Sequence, residues 1–301
     1  MSSNSNDLKL PSPDSETSLL SWLIDVLEPM NRTRVKQLLR SGRVAVNNVA
    51  TTRHDHPLHP DDHITVLREV PSSIRNRNSK RNEIALLFLD DAVVAIDKPP
   101  GLLTVATESE KLDTAFARLN AHLHTHKAGR PFVVHRLDRE TSGLLLFARS
   151  AEIRDHFQAH WGLVKKTYLA VVEGQPKSPE GTIENFLLEG RNLRVRMCNK
   201  ETANARRAVS RYRLIANRGN YSLVEVELET GRKHQIRVHM SGLGCPIIGD
   251  AAYGAATNPV GRLGLHAWRL AFDHPLTGKR IELESPFPEK LGRVVGLPGS
   301  R

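Results

Sequence analysis

The chain has 301 residues, with 43 lysines and arginines against 33 aspartates and glutamates, so its formal net charge is +10 and its pI is near 9.8. This length suits one large domain with a small one, and the positive charge favours a polyanionic partner, with nucleic acid as the first candidate. The sequence lacks a run of about 18 apolar residues, so we predict no membrane-spanning segment.

The start of the chain and its cysteines favour the cytoplasm. Residues 1–16 lack the basic region followed by an apolar run that marks a secretory signal, and they predict a short disordered leader. The two cysteines, Cys198 and Cys245, are too few and too badly spaced for a disulfide framework or a zinc ribbon. We therefore expect a cytoplasmic protein, with a monomer as the default.

The first elements predict a small α+β module over residues 17–70. Apolar residues recur at helical spacing over 18–27, which predicts an amphipathic helix. A second helix is predicted between Asn31, a good N-cap residue, and Gly42, which stands at a C-cap position. Two short strands are predicted after it, at 44–46 and 64–67.

The second predicted helix has a cationic face, which consists of Arg32, Arg34, Lys36 and Arg40. Such a face can neutralise RNA phosphates, or it can be an ordinary solvated surface, and the spacing leaves both interpretations open. The basic segment 71–83 predicts a linker to a larger domain, and it too fits either a soluble tether or a contact with RNA.

Apolar runs of strand length return after the linker and predict a domain over 84–293, followed by a tail at 294–301. The predicted strands lie at 84–89, 93–96, 132–134, 144–147, 168–172 and 223–228. Helices are predicted at 113–123 and 151–160. Many strands with few, irregularly placed helices favour an α+β fold on a largely antiparallel or mixed sheet with flanking helices.

Reactive side chains are densest in the segment 133–150, between two predicted strands. They are His135, Arg136, Asp138, Arg139 and Glu140. A polar run between apolar strands forms a loop held by a rigid scaffold, where functional sites commonly lie. On spacing alone, a turn whose charges simply pair with each other is the more common outcome.

The run H-R-L-D-R-E-T-S-G at 135–143 resembles the signature of the RluA-type pseudouridine synthases, in which the aspartate is the catalytic residue. Other segments match the same family in order: D-K-P-P-G-L at 97–102, K-T-Y-L-A at 166–170, T-G-R-K-H-Q-I-R-V-H at 230–239, G-D at 249–250, Y-G at 253–254 and L-H-A at 265–267. The resemblance covers roughly residues 85–291, with agreement in residue type, order and approximate spacing.

The resemblance implies three catalytic residues. Asp138 would be the essential carboxylate, and Arg237 would pair with it and keep it ionised. Tyr168 would lie against the flipped uracil and take part in proton transfer, although a tyrosine of the sheet core is the alternative. No cofactor is implied, because the isomerisation needs neither a redox change nor a group donor.

Further residues would contact the RNA. Arg136 is the residue expected to fill the space left by the extruded base, His135 stands beside it, and Arg232 would meet phosphate. Ile236 and Leu265 would line the base pocket, or they are plain core residues.

The module at the start of the chain resembles an S4 RNA-binding domain, with its matching core at 34–47. This resemblance implies that Arg34, Lys36 and Arg40 bind RNA. A second RNA-binding module raises the affinity for a large folded RNA. This favours ribosomal RNA of the large subunit as the substrate, with transfer RNA as the alternative.

Other functions stay open at this stage. A non-catalytic RNA-binding or assembly protein could keep the same fold, and a glycoside hydrolase would need a second carboxylate, for which Glu140 is the close candidate. The histidines at 54–63 and at 122–126 lack the spacing of a zinc motif. We interpret them as solvated side chains and expect no metal.

Overall fold

The computed structural model describes residues 7–70, 83–107, 113–190, 194–198, 202 and 204–297. The chain divides into two compact units, Met1–Glu83 and Ile84–Arg301. Apart from Glu83, the predicted linker lies outside the described residues. Within the described part of the chain, we find no helix long and apolar enough to cross a membrane.

The first unit packs two helices on a small antiparallel sheet. Its helices are α1 (Leu19–Val26) and α2 (Arg32–Arg40), and its strands are β1 (Leu8–Lys9), β2 (Thr17–Ser18), β3 (Val44–Val46), β4 (Val49–Thr51), β5 (Pro57–Leu58) and β6 (Ile64–Val66). The sheet has the order β1-β6-β3-β4, and β2 pairs separately with β5. Apolar side chains from both helices and the sheet form one core.

The second helix begins and ends where the sequence predicts. The Asn31 side chain accepts a hydrogen bond from the Arg34 N–H at 2.9 Å, as an N-cap should. Gly42, just past the helix, has a φ of 73°, in the left-handed region that glycine adopts without strain. Both capping predictions are confirmed.

The prediction of a disordered leader is wrong for residues 7–16. Leu8 pairs with Val66 in the sheet, and Asp7 accepts a hydrogen bond from the Arg68 N–H at 2.8 Å. A strand of two residues is too short to show an alternating pattern in the sequence. Its conformation is set by pairing with the strand at 64–66. Residues 1–6 lie outside the described residues.

The second unit contains one large sheet. Its strands are β7 (Ala85–Leu89), β8 (Val93–Lys98), β9 (Phe132–Val133), β10 (Ser142–Ala148), β11 (Lys165–Glu173), β12 (Glu180–Glu189), β13 (Val195–Cys198), β14 (Arg206–Arg218), β15 (Tyr221–Leu228), β16 (Leu265–Asp273) and β17 (Arg280–Glu284). Its helices are α3 (Ala115–Thr125), α4 (Ala151–His160), α5 (Gln235–Gly242) and α6 (Glu289–Val294), with 3-10 turns at Trp161–Leu163 and Ala251–Tyr253.

The strand order along the sheet is β13-β12-β14-β15-β11-β16-β10-β8-β7, with β17 paired to β16 and β9 to β10. All these pairings are antiparallel except that of β10 with β16, which is parallel. The predicted α+β fold on a mixed sheet is confirmed. Because β10 and β16 are parallel, the starts of these two strands lie side by side. The strand β11 pairs with the other edge of β16.

The central strand β10 is buried on both faces. Leu144 and Leu146 pack on one side against residues of α4, and Leu145 and Phe147 pack on the other against residues of α3. A strand covered twice needs an apolar residue at every position, which explains the continuous run in the sequence. Truncation of Phe147 to alanine would cost about 3–5 kcal/mol. The loop before β10 therefore has a rigid base.

The C-terminal tail predicted at 294–301 begins too early. Val295 is buried, and Leu297 packs against the same apolar cluster as Leu291. The domain thus continues through 297, and residues 298–301 lie outside the described residues.

Candidate active site

Asp138 lies at the start of a tight turn in the loop that leads into β10. Its backbone carbonyl accepts the Thr141 N–H at 3.2 Å, and its side chain is 31% exposed. The carboxylate opens onto a cleft of about 710 Å³. That volume lies in the range of small-ligand pockets and can hold one extruded nucleotide.

A buried threonine fixes the residue that precedes Asp138. The Thr104 hydroxyl donates to the Leu137 carbonyl at 2.9 Å and accepts from the Leu137 N–H at 3.1 Å. Thr104 is only 2% exposed, so these two bonds are shielded from water. Together they hold both backbone groups of Leu137 and limit the movement of the Asp138 backbone.

A fully buried lysine fixes the residue that follows. The Lys98 Nζ donates to the carbonyls of Pro99, Leu102 and Arg139 at 3.0, 2.8 and 3.1 Å. Burial lowers the pKa of Lys98 to about 7. Three carbonyl acceptors suit the three donors of an ammonium group, and they tie the segment 99–102 to the turn after Asp138.

Gly143 permits the parallel contact between β10 and β16. Its φ is +108°, and a Cβ atom there would lie 2.2 Å from the Ala267 carbonyl oxygen. The neighbouring Ser142 hydroxyl lies 2.9 Å from His266 Nδ1 and accepts from Arg262 at 2.7 Å. The T-S-G end of the motif thus forms a turn and also allows β10 and β16 to pack closely.

Arg237 lies closer to Asp250 than to Asp138. Its Nε and Nη2 each donate to an Asp250 carboxylate oxygen at 2.7 Å, and Asp250 is almost completely buried. The Arg237 Nη1 lies 3.9 Å from Asp138 Oδ2, which is an ion pair without a direct hydrogen bond. The expected pairing with Asp138 therefore holds only as a longer contact, with Asp250 as the primary partner.

His234 approaches the same carboxylate from another direction. Its Nε2 lies 3.9 Å from Asp138 Oδ2, and its Nδ1 lies 2.8 Å from the Tyr253 hydroxyl. The Tyr253 hydroxyl also accepts the Val195 N–H at 3.1 Å. Neither His234 nor Tyr253 was predicted from the sequence to have a role.

Tyr168 is half-buried on β11 and lines the cleft. Its ring packs against two apolar clusters, one with Ile236 and Leu265 and the other with Leu137. Burial, and then the negative charge of Asp138, raise the pKa of the Tyr168 phenol. The hydroxyl therefore keeps its proton at neutral pH and is suited to donate a hydrogen bond.

His135, which the resemblance assigns to RNA contact, is held by other residues of its own domain. Its Nε2 accepts the Leu146 N–H at 3.0 Å, and its ring stacks on Trp161 at 4.5 Å between centroids. Burial, aided by the charge of Lys166, lowers the pKa of His135 to about 3. The ring is neutral and braces the loop, although it still lines the cleft.

Arg136 and Arg232, the other RNA contacts predicted in the second unit, also line the cleft. Arg136 is exposed there, and the described residues offer it no ion-pair partner. The exposed Arg232 donates through Nε to the Arg207 carbonyl at 3.1 Å. Ile236 and Leu265 line the cleft and also belong to the apolar core.

The predicted cations of α2 belong to the first unit. Arg34 is exposed, and Lys36 and Arg40 are half-exposed. They occupy α2 together with Val35 and Leu39, which are fully buried in the core of that unit. This separation of cationic and apolar side chains matches the helix face expected from the sequence.

Sequence patterns did not indicate the residues that hold the site in place. Thr104 had no signal, because a lone threonine outside the motifs is unremarkable. Lys98, Asp250 and Tyr253 stood in matched segments, yet only the contacts across the fold show what they hold. Within the described residues, no group of three His, Cys, Asp or Glu side chains is arranged to hold a metal ion.

Comparison with known proteins identifies the family of the chain. The family model described as RNA pseudouridylate synthase matches residues 92–242. The uncharacterized RNA pseudouridine synthase YlyB of Bacillus subtilis is 32% identical over 302 residues, which cover 97% of each protein. The ribosomal large subunit pseudouridine synthase D of Zymomonas mobilis is 30% identical over 297 residues, which cover 91% of this chain and 92% of that protein.

A solved structure agrees with these relatives. Human RNA pseudouridylate synthase domain containing 4 is 26% identical, with a TM-score of 0.60, over 76% of this chain and 98% of the human chain. The mixed sheet, the cleft and the matched motifs lie within the same unit. The chain therefore belongs to the RNA pseudouridine synthase family, whose members are isomerases.

Proposed function

We propose that this chain converts uridine to pseudouridine in large-subunit ribosomal RNA, with Asp138 as the catalytic carboxylate. The observation that carries the proposal is the position of Asp138: partly exposed at the cleft, with Arg237 and His234 each 3.9 Å from Oδ2. Two relatives, from Zymomonas mobilis and Nitrosomonas europaea, are named ribosomal large subunit pseudouridine synthase D, which supports the choice of RNA.

The reaction exchanges one bond to the ribose for another. The bond between uracil N1 and ribose C1′ breaks, and a bond between uracil C5 and C1′ forms. The hydrogen on C5 leaves as a proton, and N1 gains a proton, so the product is an isomer of the substrate. The chain must therefore stabilise the ribose while it is separated from the base, and then move one proton.

An ionised Asp138 can act on the ribose in two ways. It can attack C1′ as a nucleophile, or it can remove a proton from C2′ and form a glycal, and both routes require the carboxylate form. The guanidinium of Arg237 places a positive charge 3.9 Å from the Asp138 carboxylate. Since Asp250 holds Arg237 by two hydrogen bonds, that charge stays in place during the reaction.

Tyr168 serves as a platform and donor for the uracil. The ring offers an apolar face to the base, and the raised pKa keeps the hydroxyl protonated beside Asp138. A phenol in this state donates a hydrogen bond to a uracil carbonyl. The proton on C5 therefore leaves to another acceptor, for which the Asp138 carboxylate is available once it has been released from the ribose.

The target base must leave its stack to reach this cleft. Extrusion costs a few kcal/mol, and a side chain that fills the vacated space lowers that cost. Arg136 is exposed at the cleft and, among the described residues, is not committed to an ion pair. We assign it that role, and we assign phosphate contacts to Arg232 and, in the first unit, to Arg34, Lys36 and Arg40 as an S4-like RNA-binding domain.

The test maps pseudouridine in cells. A strain that lacks the gene receives the wild-type chain, Asp138→Asn, or Asp155→Asn, a control on the exposed side of α4. Chemical probing then maps pseudouridine in ribosomal and transfer RNA. We expect sites in large-subunit RNA with the wild type and the control and none with Asp138→Asn. Sites confined to transfer RNA would overturn the assigned substrate, and sites that persist with Asp138→Asn would overturn the catalytic assignment.

A further inference from the structure

We infer that His234 is a positioning residue of the reaction: Tyr253 fixes its tautomer, and it presents an Nε2–H to the Asp138 carboxylate. This inference rests on the proposed function of Asp138. It also assigns a function to Tyr253, which lies in a segment that resembles the family but has no part in the chemistry proposed above.

The backbone of His234 is held in an unusual conformation. Its φ of 54° and ψ of 16° place it in the left-handed region, which costs conformational energy for a residue with a Cβ atom. Gln235, which is 2% exposed, holds the preceding loop, since its Oε1 accepts from the Thr230 hydroxyl at 2.8 Å and the Arg232 N–H at 3.0 Å. The strained residue is thus aimed at the cleft by a rigid support.

Hydrogen-bond direction assigns the tautomer. The Tyr253 hydroxyl accepts the Val195 N–H, and among the described residues His234 Nδ1, at 2.8 Å, is the acceptor within reach of its own proton. We assign this hydrogen bond as a donation from the Tyr253 hydroxyl to Nδ1, which then carries no proton. The proton of the neutral ring then lies on Nε2, the nitrogen that is 3.9 Å from Asp138 Oδ2.

The charges around His234 keep the ring neutral. Burial lowers the pKa of His234, the charge of Asp138 opposes that shift, and those of Arg237 and Lys233 add to it. Asp250 also faces the ring but is paired with Arg237. The Tyr253 ring also lies under the Arg237 guanidinium, with 4.8 Å between the guanidinium carbon and the ring centroid.

A ring in this state cannot act as a base. Its Nδ1 lone pair is occupied by Tyr253, and its Nε2 already carries a proton, so it cannot take the hydrogen from uracil C5. It can donate one hydrogen bond to Asp138, and the 3.9 Å gap must close when the ribose binds, as catalytic hydrogen bonds often shorten in the substrate complex. Arg237 and His234 then hold Asp138 as a pair.

Two variants separate a positioning donor from a proton-transfer residue. In His234→Gln the amide nitrogen can stand where Nε2 stood and still donate, whereas His234→Ala has no donor. We expect His234→Ala to lower kcat about 10- to 100-fold, the value of one hydrogen bond to a charged group, with KM nearly unchanged. We expect His234→Gln to recover most of that loss, and thermal unfolding checks that both variants fold.

The assay follows pseudouridine formation on large-subunit ribosomal RNA from a strain that lacks the gene. Full activity of His234→Ala would overturn the inference. So would equal loss in His234→Ala and His234→Gln, because that result requires an imidazole that transfers protons. The exposed His156, changed to glutamine, is the matched control and should behave as the wild type.

Nitrogen NMR of the full chain with labelled histidines gives a readout that is independent of activity. The His234 signals, identified by their loss in His234→Gln, should show a protonated Nε2 and an unprotonated Nδ1, and Tyr253→Phe should release this preference. A protonated Nδ1 in the wild type would overturn the inference. A wild type without activity on any RNA would instead overturn the proposed function, while the tautomer would still be measured.

Discussion

Asp250→Asn tests whether a buried carboxylate holds Arg237 in the active site. Asp250 has 1% of its side chain exposed, and both of its oxygens accept from Arg237 at 2.7 Å. Asparagine keeps the size and one acceptor oxygen but removes the charge and turns the other acceptor into a donor. Removing one partner of a buried ion pair costs about 3–5 kcal/mol, and because one hydrogen bond remains we expect about 3 kcal/mol.

The assay is urea unfolding followed by the fluorescence of the tryptophans of the second unit. The free energy of unfolding should fall by about 3 kcal/mol in Asp250→Asn. The matched control is Asp273→Asn, whose carboxylate pairs with Arg280 at 3.2 Å but is 71% exposed. An exposed pair is worth less than about 1 kcal/mol, so this control should unfold almost as the wild type does.

Activity should fall as well, because a guanidinium without its buried partner moves toward water and away from Asp138. We expect a lower kcat for pseudouridine formation in Asp250→Asn and the parental kcat in Asp273→Asn. If Asp250→Asn unfolds like the wild type and keeps its kcat, Arg237 does not depend on Asp250 and the described arrangement of the site is wrong.

Three further predictions concern the loop, the pH dependence of stability and the first unit. Thr104→Val keeps the shape of the side chain but removes both hydrogen bonds to Leu137. We expect kcat to fall and the free energy of unfolding to decrease by about 1–3 kcal/mol. A parental kcat would show that these two hydrogen bonds are dispensable for activity. Burial lowers the pKa of His239 and His266 to about 4, below the unfolded value near 6.5. The unfolded chain therefore binds more protons between these values, so stability is complete above pH 6.5 and falls by about 3 kcal/mol per histidine as the pH drops toward 4. Urea midpoints at several pH values check this, and His239→Gln should flatten the curve; an unchanged curve would contradict the assignment. Arg34→Ala with Lys36→Ala should weaken RNA binding and reduce its salt dependence while leaving turnover at saturating RNA, and an unchanged salt slope would refute the contact.

Local sequence patterns predicted the elements that are buried on both faces or are ended by capping residues. The run at 144–147 predicted β10 because that strand is covered on both faces, and Asn31 and Gly42 predicted the ends of α2 because caps are local. The strands β12 and β14 were missed, although polar and apolar residues alternate along them, because charged residues such as Arg211 and Arg213 interrupt the apolar positions. Arg211 pairs with Glu227 and Arg213 with Glu225, both on β15, on an exposed face of the sheet.

The candidate site was predictable where it lies in continuous motifs. Asp138, Arg136, Tyr168 and Arg237 were named from such segments, and all four line one cleft. Their partners depend on contacts between residues far apart in the sequence, which periodicity and spacing do not encode. For His135 the resemblance implied a contact with RNA, and the stacking of its ring on Trp161 and its hydrogen bond to the Leu146 N–H also give it a structural role that no local pattern encodes.

Release of the hydrogen from uracil C5 tests directly whether Asp138 is the carboxylate that drives the isomerisation of uridine. Because the hydrogen on uracil C5 is replaced when the glycosidic carbon moves there, RNA labelled with tritium at C5 releases tritium to water only as pseudouridine forms. The measurement compares release from large-subunit ribosomal RNA by the wild type, Asp138→Asn and Glu140→Gln. Glu140 is the neighbouring acid that a two-carboxylate hydrolase would need, and its side chain is 52% exposed.

We expect stoichiometric release of tritium by the wild type and by Glu140→Gln, and none by Asp138→Asn. Release by Asp138→Asn at the wild-type rate would show that Asp138 is not the catalytic carboxylate.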